Sequence, residues 1–307
     1  MNAMAPKLPT PHLDKLDALL RNSRLPHVDK IRVEGAIKRY HQWIEALEAA
    51  GQERDNVVEK LVHATNVYKK FIELELIFDS PEDFLYRQKG QLKLDNTILE
   101  EFLPQLVFRS VYFGGQAFDL GPHKTFSGLS FGASLADSGD GGKPRLRTKD
   151  QDFILGKRLY MMTSFDREFK AAETVEAHLG YVCAECKTNL DKTMFQEAVA
   201  TSRDLKMAVP SSLYFLICEF LDMTPVSITS THIDDVLIVR KAKRMSSHVR
   251  QEYRSANERR RYRQEYVEFL DSSRYYADVF QRMVDKIQAM IDEAAPDVDR
   301  VLGQGYF

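Results

Sequence analysis

The fold is decided by the string KDQDFILGKRLY at residues 149–160 together with VCAECKTNLDKTMFQEA at residues 182–198. In the first string an apolar run begins directly after Asp152, which predicts a long strand. The second string opens as another apolar strand and then turns polar, which predicts a helix from about Asp191 to Lys206. Two strands followed by a helix are typical of a mixed α/β layer fold.

Glu185, Cys186 and Lys187 fall within the second predicted strand. Because strand side chains alternate between two faces, Glu185 and Lys187 share one face and Cys186 points into the packing layer. If Asp152 begins the adjacent strand, its carboxylate lies beside that of Glu185, and a divalent cation relieves their repulsion. Hard oxygen ligands favour Mg²⁺, whose bound water can be activated for attack on a phosphodiester. Lys187 can orient or deprotonate that water, or stabilise charge that develops on phosphorus.

Two alternatives at this motif stay open. Asp150 has the same parity as Asp152, so either carboxylate can face the site; we favour Asp152 because the apolar run begins directly after it. A bare Glu-x-Lys on a strand is more often a surface pair that neutralises itself than a catalytic site. The upstream aspartate, the apolar strand beside it and the polar helix after it favour a site here.

Further helices and strands surround this region. Apolar residues recur at helical spacing through the first part of the chain, and another helix is predicted from Asn96 to about Phe108. The string LYFLICEFL at residues 213–221 predicts a central strand covered on both faces, and VLIVRKA at residues 236–242 predicts one more strand. Residues 246–294 are predicted to form one long helix or two.

Residues 114–142 have a different composition from the rest of the chain. They contain eight of its fifteen glycines, and SGDGGKP at residues 138–144 is a strong loop signal. The phosphate-binding string GxxxxGK[ST] is absent. We expect a loop here, which is either mobile and near a ligand or an ordinary surface loop.

The composition is that of a soluble globular protein and excludes several classes. Of 307 residues, 44% are hydrophobic and 29% are charged, and the net charge is -2, so the chain is no generic polycation. No apolar run is long enough to span a membrane, and the N-terminus lacks the apolar core of a signal peptide. Three cysteines make no disulfide framework, which fits a reducing cytoplasm.

Cysteine and histidine chemistry finds little support. Cys183 and Cys186 spell CxxC, but residues three apart on a strand face opposite sides, so we expect core packing rather than zinc binding. The eight histidines show no paired spacing. The sequence therefore gives no support for a Ser or Cys nucleophile that a histidine activates.

A basic segment runs from Arg240 to Arg263. It holds ten Lys and Arg residues against Glu252 and Glu258, a local charge of +8 in a chain whose total is -2. Such a cluster can hold DNA phosphates and place arginines against guanine edges, whereas a solvated basic helix is the alternative. Arg250 and Arg254 are spaced by one helical turn and are expected on a common face. The residues expected to bind DNA are Lys241, Arg244, Arg250 and Arg254.

Asp152, the triplet at residues 185–187 and a following helix that carries Gln196 together resemble the PD-(D/E)XK nuclease pattern. Gln151 stands where that pattern usually has proline. The longer string ECKTNLDKTMFQEA, with DDVLIVRKAKR downstream, is similar to type II restriction endonucleases of the BbvCI kind. Those enzymes cut within or around a CTNAG-like core and leave a short 5′ overhang. The similarity covers about residues 145–245.

The resemblance implies an α/β fold with a PD-(D/E)XK restriction-endonuclease-like core and helical N- and C-terminal additions. We accordingly divide the chain into an N-terminal helical region at residues 1–95, a nuclease core at 96–245 and a C-terminal helical region at 246–307. The implied activity is Mg²⁺-dependent, sequence-specific cleavage of double-stranded DNA by a type II enzyme of a restriction-modification system.

The same resemblance assigns roles to individual residues. Asp152, Glu185 and Lys187 are the implied catalytic residues. The implied metal ligands are Asp152, Glu185 and the backbone carbonyl of Cys186, and Gln196 supports them. Glu100 or Glu101 could add a ligand, as in some relatives, although solvated helix positions are the simpler expectation (both precede the glycine-rich segment).

The expected setting is the bacterial cytoplasm, with double-stranded DNA as substrate and no membrane. Cutting both strands of a near-palindromic site suggests two copies, as a homodimer or as a heterodimer with a related subunit. Two other functions stay open. One is a repair or mobile-element nuclease on the same fold, and the other is a DNA-binding subunit that needs a second subunit to cut.

Overall fold

The computed structural model describes residues 8–53, 55–136, 141–293 and 298–305. No helix among these residues has both the length and the apolar composition needed to cross a membrane. The elements follow one another along the chain as α1 (Pro11–Leu20), α2 (His27–Gly51), α3 (Val57–Lys70), a π-helix (Phe71–Phe78), α4 (Phe84–Leu92), α5 (Thr97–Ser110), β1 (Asp119–Phe131), β2 (Pro144–Thr163), β3 (Glu173–Leu190), α6 (Lys192–Ala208), β4 (Leu213–Leu221), β5 (Asp235–Lys243), α7 (Ser247–Glu252), α8 (Ala256–Arg261), α9 (Arg263–Ser272), α10 (Ala277–Glu293) and α11 (Val298–Gln304).

The described residues divide into two compact units. The helical unit comprises those of Met1–Gln116, Cys218–Asp222 and Ile238–Phe307, and the sheet unit comprises those of Ala117–Ile217 and Met223–Leu237. The first and the last described residues therefore belong to one unit, and α5 belongs to it as well. Strands β4 and β5 each begin in the sheet unit and end in the helical unit.

Aromatic packing joins the first and last parts of the chain within the helical unit. Trp43 of α2 stacks on Tyr68 of α3 with ring centroids 4.8 Å apart. Phe102 of α5 meets Phe280 of α10 edge-on at 5.2 Å. All four side chains are buried, and each such burial contributes about 1.5–3 kcal/mol through the apolar area removed from water.

The five strands form one mixed sheet in the order β1-β2-β3-β4-β5. β2 is antiparallel to both β1 and β3, and β1 also pairs in parallel with β3 where Thr125 meets His178. Residues 214–220 of β4 are buried without a break, as expected of a strand between two neighbours. Helix α6 packs against β1 and β3. The predicted α/β fold with a mixed sheet is confirmed.

The glycine-rich segment contains a strand, so the expectation of a loop over residues 114–142 is wrong for its middle part. β1 lies there and pairs with β2 along its length, while residues 137–140 lie outside the described residues. There is little room for a larger side chain where β3 meets β1, because a Cβ added at Gly180 of β3 would lie 2.5 Å from Cys183 Sγ and 3.0 Å from Thr125 Cγ2 of β1. Small and polar residues fit such contacts, but their composition is also that of a loop.

The C-terminal region forms more helices than expected. Instead of one long helix or two over residues 246–294, the chain forms α7, α8, α9 and α10. The side chain of Ser246 accepts the N–H of Val249 at the start of α7, and that of Ser255 accepts the N–H of Glu258 at the start of α8. Ser255 and Glu258 have the spacing of a capping box, a start signal that apolar spacing alone does not reveal.

Candidate active site

The two carboxylates of the motif lie on neighbouring strands of the sheet unit. β2 and β3 pair with Phe153 opposite Ala184, and one further step in this register brings Asp152 opposite Glu185. Residues directly opposite in an antiparallel pair extend from the same face of the sheet. The backbone N–H of Cys186 donates to Asp152 Oδ2 at 2.7 Å, which fixes this carboxylate against β3.

Lys187 balances part of this negative charge. Its Nζ lies 2.6 Å from Glu185 Oε1, and the two side chains are 26% and 19% exposed. Burial lowers the pKa of Lys187, but the hydrogen bond to Glu185 and the charges of Glu185, Asp152 and Glu197 raise it more, so the net shift is upward. Asp152 and Glu185 thus act on the same ammonium group, and two carboxylates face one cation.

Tyr214 of β4 completes the hydrogen bonding of Glu185. Its hydroxyl donates to Glu185 Oε2 at 2.9 Å, and its side chain is fully buried. Burial, the charge of Glu185 and this bond all raise the pKa of Tyr214, so the hydroxyl keeps its proton. Tyr214 was not predicted as a site residue. The available signal was a tyrosine inside the apolar string of β4, where a buried hydroxyl needs an acceptor.

A second acid fixes the backbone of Tyr214. The N–H of Tyr214 donates to Asp234 Oδ2 at 2.6 Å, and the N–H of Asp234 donates to the carbonyl of Tyr214 at 2.9 Å. Lys206 of α6 pairs with Asp234 at 2.6 Å. This network ties α6 to the start of β4 and so fixes the strand from which Tyr214 reaches Glu185.

The oxygen donors of this site suit a hard divalent cation. Asp152 and Glu185 carry carboxylates and Cys186 carries a backbone carbonyl, whereas the thiol of Cys186 is buried. Such oxygens are the ligands that Mg²⁺ prefers, and the excess of acid over Lys187 favours a cation. No three His, Cys, Asp or Glu side chains converge on a metal position in the described residues. A metal here would therefore use two carboxylates with backbone and water oxygens.

Asp150 and Gln196 are placed differently from these residues. Asp150 is exposed and lies opposite Lys124 of β1, whereas Asp152 is half-buried and bonded to β3. Gln196 is exposed on α6. The structure brings Asp152, Glu185 and Lys187 together, and no hydrogen bond among the described residues joins Gln196 to them.

Two other sets of possible ligands are packing residues. Glu100 and Glu101 are buried, so the expectation of solvated helix positions is wrong. Glu101 accepts the backbone N–H of His12 at 2.8 Å, and burial raises the pKa of Glu101 to about 7. Cys183 and Cys186 are buried free thiols, and burial raises the pKa of Cys183 to about 12. The expected core packing of the two cysteines is confirmed.

The basic segment, residues 240–263, exposes less charge than its composition suggests. Arg240 is 2% exposed and pairs with Glu219 and Glu73, each at 2.7 Å. Arg259 is 1% exposed. Its guanidinium donates to the backbone carbonyls of Phe78, Ser80 and Glu82. Because these two arginines are structural, the local charge of +8 overstates the charge on the surface.

Two of the four expected DNA contacts take part in surface ion pairs of the helical unit. Lys241 pairs with Asp278, and Arg244 pairs with Asp222 at 3.2 Å. Exposed pairs of this kind contribute about 0–1 kcal/mol. A phosphate can therefore replace either carboxylate at little cost in stability.

The other two expected contacts do not share a helix. Arg250 lies in α7 and its Nε donates to the carbonyl of Met245 at 3.2 Å. Arg254 is exposed and follows the end of α7 at Glu252. The expectation that one helical turn places Arg250 and Arg254 on a common face is wrong, because the helix ends between them.

Known proteins resemble this chain in sequence and in fold. The family model of the Bpu10I restriction endonuclease matches residues 91–307. A solved structure described as "native BbvCI A2B2 tetramer at low resolution" has a TM-score of 0.62 and 17% identity, over 94% of this chain and 98% of that one. No curated protein matches the chain. The predicted resemblance to type II restriction endonucleases of the BbvCI kind is confirmed. The chain belongs to the Bpu10I restriction endonuclease family and is a site-specific deoxyribonuclease.

Proposed function

We propose that the protein cleaves double-stranded DNA at a specific sequence with Mg²⁺, as a type II enzyme of a restriction-modification system in the bacterial cytoplasm. Asp152, Glu185 and Lys187 are its catalytic residues. The metal ligands are Asp152, Glu185 and the carbonyl of Cys186, with Gln196 in support. The observation that carries the proposal is the pair of carboxylates on one sheet face, with Lys187 Nζ 2.6 Å from Glu185.

Each of these side chains has a role that its contacts support. A bound Mg²⁺ supplies an activated water and neutralises charge on the phosphate. Lys187 holds an ammonium beside Glu185, where it orients water and stabilises negative charge on the phosphate. The N–H of Cys186 orients Asp152, and the hydroxyl of Tyr214 orients Glu185. The carboxylates are thus held in place before substrate binds.

The basic segment contributes contacts to DNA phosphates in this proposal. Each phosphate contact adds about 0.9 to the slope of log K against log salt. Single alanine variants should lower that slope by about this amount on any duplex, and an unchanged slope in all four would make the segment a solvated surface. The variants are those of Lys241, Arg244, Arg250 and Arg254.

We further propose that two subunits act together, because cutting both strands of a near-palindromic site suggests two copies of the active site. A homodimer supplies two copies of this site, and a heterodimer supplies one copy and one from a related subunit. The neighbouring BbvCI structure is described as an A2B2 tetramer, which has two kinds of subunit. That composition favours a second candidate function, a DNA-binding subunit that cuts only with its partner.

Incubation of the purified full chain with plasmid DNA and Mg²⁺ tests the proposed function. Discrete fragments are expected, and sequencing of their ends gives the recognition site. EDTA should stop cleavage and Mg²⁺ or Mn²⁺ should restore it, whereas Ca²⁺ should permit binding without cutting because it holds water in a looser geometry. A smear of products would favour a repair or mobile-element nuclease. Cutting that begins only when a related subunit is added would favour the partner-dependent subunit.

A further inference from the structure

Residues 126–131 of β1 and 144–148 of β2 pair as a two-stranded ribbon, here called the arginine ribbon. We propose that Arg145 and Arg147 of this ribbon bind backbone phosphates of the duplex that the active site cuts. This contact presupposes the proposed nuclease function and lies outside the basic segment, residues 240–263.

Two glycines of the glycine-rich segment make room for these arginines. Gly128 lies opposite Arg147, and a Cβ added there would lie 2.7 Å from Arg147 Nη2. A Cβ added at Gly132 would lie 2.9 Å from Arg145 Nε. Both guanidiniums therefore lie over the glycine backbone, in space that any larger side chain at these two positions would fill. The glycines thus leave open the space in which the two arginines present their charge.

The arginine ribbon and its flanks are rich in positive charge. Residues 120–136 and 141–150 contain five Lys and Arg residues and one acid, Asp150. Asp137 and Asp140 stand in the intervening segment, outside the described residues, and reduce the charge of the whole span to +2. The chain as a whole has a charge of -2, so this surface is a local attraction for a polyanion.

The two guanidiniums have no protein partner within the part of the chain that the structure describes. Both side chains are exposed, and neither takes part in an ion pair or a side-chain hydrogen bond there. Lys149 of the same strand differs, because it pairs with Asp204 at 3.1 Å. A guanidinium presents five N–H donors in a planar fork that matches the oxygens of a phosphate. Arg145 and Arg147 thus offer exposed, unused donors of the kind that DNA phosphates accept.

The arginines also lie close enough to the proposed site to act on the same duplex. Arg147 precedes Asp152 by five residues on β2, and a strand rises about 3.3 Å per residue, so their Cα atoms are at most about 17 Å apart. Duplex DNA advances about 3.4 Å per base step. A duplex whose scissile phosphate is at Asp152 therefore has phosphates within roughly five base steps of the arginine ribbon. Residues 152 and 153 of β2 stand opposite the single residue 122 of β1, and such a bulge redirects side chains. Strict alternation between two faces therefore does not apply between Arg147 and Asp152.

Binding of the full-length protein to a fluorescein-labelled random duplex of about 30 base pairs tests this contact. Fluorescence anisotropy is measured in Ca²⁺ at several salt concentrations, with melting temperature as a control for folding. The Arg145→Ala/Arg147→Ala variant should lose about 1.8 from the salt slope, 0.9 for each contact, and bind about tenfold more weakly. The matched control is Arg158→Ala, which removes an arginine of the same strand that pairs with Glu176 at 3.6 Å. It should bind as the wild type does.

Two further variants separate charge from position. Arg145→Lys/Arg147→Lys keeps both charges and should recover most of the salt slope. Gly128→Ala/Gly132→Ala keeps both arginines but fills the space of their guanidiniums. Because the displaced atoms are the ends of flexible side chains, the melting temperature should not change, while the affinity should fall several-fold.

Three results would overturn the contact. One is an unchanged salt slope in a folded Arg145→Ala/Arg147→Ala variant, and another is unchanged affinity in the glycine variant. The third is an altered oligomeric mass with an unchanged slope, which would make the arginine ribbon a subunit contact. Binding in Ca²⁺ is read without cleavage, so failure here is distinct from failure of the proposed function, which is loss of cutting in Mg²⁺.

Discussion

Each of the two compact units contains a cluster in which one glutamate binds both a lysine ammonium and a tyrosine hydroxyl. In both clusters the lysine nitrogen lies 2.6 Å from the glutamate and the tyrosine oxygen lies 2.9 Å from it. The side-chain chemistry is therefore the same, and the clusters differ in burial and in charge balance. The members are Glu185, Lys187 and Tyr214 in the sheet unit and Glu219, Lys69 and Tyr275 in the helical unit.

The cluster of the helical unit is closed and neutral. Arg240 pairs with Glu219 and with Glu73, each at 2.7 Å, so two acids face the two bases Lys69 and Arg240. These four side chains are at most 10% exposed. Burial raises the pKa of Glu219, but Lys69 and Arg240 lower it more, and the net shift is downward. Every charge is thus compensated inside the protein.

The cluster of the sheet unit is open and has an excess of acid. Asp152 adds a second carboxylate to the ammonium of Lys187, and water reaches both Lys187 and Glu185. One set of side chains thus stabilises the fold where its charges are balanced and water is excluded. The same set suits a cation and a substrate where it is partly exposed and carries one negative charge in excess.

The largest effect that this comparison predicts is the loss of cleavage in Asp152→Asn. The asparagine oxygen can still accept the N–H of Cys186, so the change removes charge and little else. The cleavage rate should fall by about 10³-fold or more, because the site loses a proposed Mg²⁺ ligand and with it the metal that compensates charge on the phosphate. The free energy of unfolding should stay within about 1 kcal/mol of the wild type. Single-turnover plasmid cleavage and urea unfolding measure the two quantities.

Asp150→Asn is the matched control, because it removes the same charge two residues away at an exposed position. Cleavage lost in this variant and kept in Asp152→Asn would reverse the assignment of the first carboxylate. Glu185→Gln and Lys187→Met should lose activity as Asp152→Asn does. Wild-type cleavage rates in all three of these variants would show that the active site lies elsewhere in the protein.

The next largest effect is expected on stability, from Glu219→Gln. Removing this charge leaves Lys69 and Arg240 buried with too little acid, which costs about 3–5 kcal/mol. Trp43 is the only tryptophan of the chain and lies in the helical unit, so its fluorescence reports the unfolding of that unit. Glu185→Gln makes the same chemical change in the open cluster. It should lower the free energy of unfolding, measured by circular dichroism, by less than about 1 kcal/mol. Equal losses in the two variants would mean that burial and charge balance do not separate the clusters.

Glu101, another buried glutamate, shows by contrast how the neighbouring cations affect the pKa of Glu219. Glu101 accepts the hydroxyl of Tyr40 as Glu219 accepts that of Tyr275, but no ion pair of the described residues includes Glu101. Burial, opposed by its hydrogen bonds, raises the pKa of Glu101 to about 7. The folded protein then binds more protons than the unfolded chain between about pH 4.5 and pH 7, so stability falls as the pH rises through that window.

Glu101→Gln should remove this dependence, which amounts to about 1–3 kcal/mol between pH 4.5 and pH 7. His12 acts in the opposite direction, because burial and Lys69 lower its pKa to about 3. The contribution of His12 to the free energy of unfolding rises with pH between about 3 and 6.5. Because wild type and variant share His12, this contribution cancels when the two are compared at each pH. A constant difference between the two proteins across the window would contradict the raised pKa of Glu101.

The active site can be predicted from the sequence because its motif is local. The closed cluster cannot, because its members are far apart along the chain. Alternation along one strand is enough to put Glu185 and Lys187 on one face. Lys69 and Glu219 are 150 residues apart, and Arg240 and Glu73 are 167 apart. Pairing over such distances leaves no periodic signal, so Arg240 was counted as surface charge.

The same reason explains why the sequence does not reveal the strand β1 or the site residue Tyr214. β1 is a strand because β2 and β3 pair with it, and its own glycines and serines are those of a loop. Tyr214 reaches Glu185 across the sheet, 29 residues away. Composition describes the residue and its near neighbours, whereas strand pairing decides which residues meet.

The smallest effect concerns the two tyrosine hydroxyls. In Tyr214→Phe the half-exposed Glu185 loses a donor that water can replace, so the free energy of unfolding should fall by no more than about 1 kcal/mol. The change should instead appear in the metal dependence, because a ligand that is less well oriented binds its cation more weakly. The Mg²⁺ concentration for half-maximal cleavage should rise about tenfold, with a nearly normal rate at saturating Mg²⁺.

Tyr275→Phe removes the matching hydroxyl from a glutamate that water cannot reach. A buried acceptor that loses its donor costs about 1–3 kcal/mol, so here stability should fall and the Mg²⁺ requirement should stay that of the wild type. The two tyrosine variants therefore change opposite quantities if the open cluster binds metal and the closed one does not. A normal Mg²⁺ requirement in Tyr214→Phe would mean that Lys187 and the strand backbone alone hold Glu185 in place. Tyr214 would then be a packing residue of β4, as its burial alone would suggest.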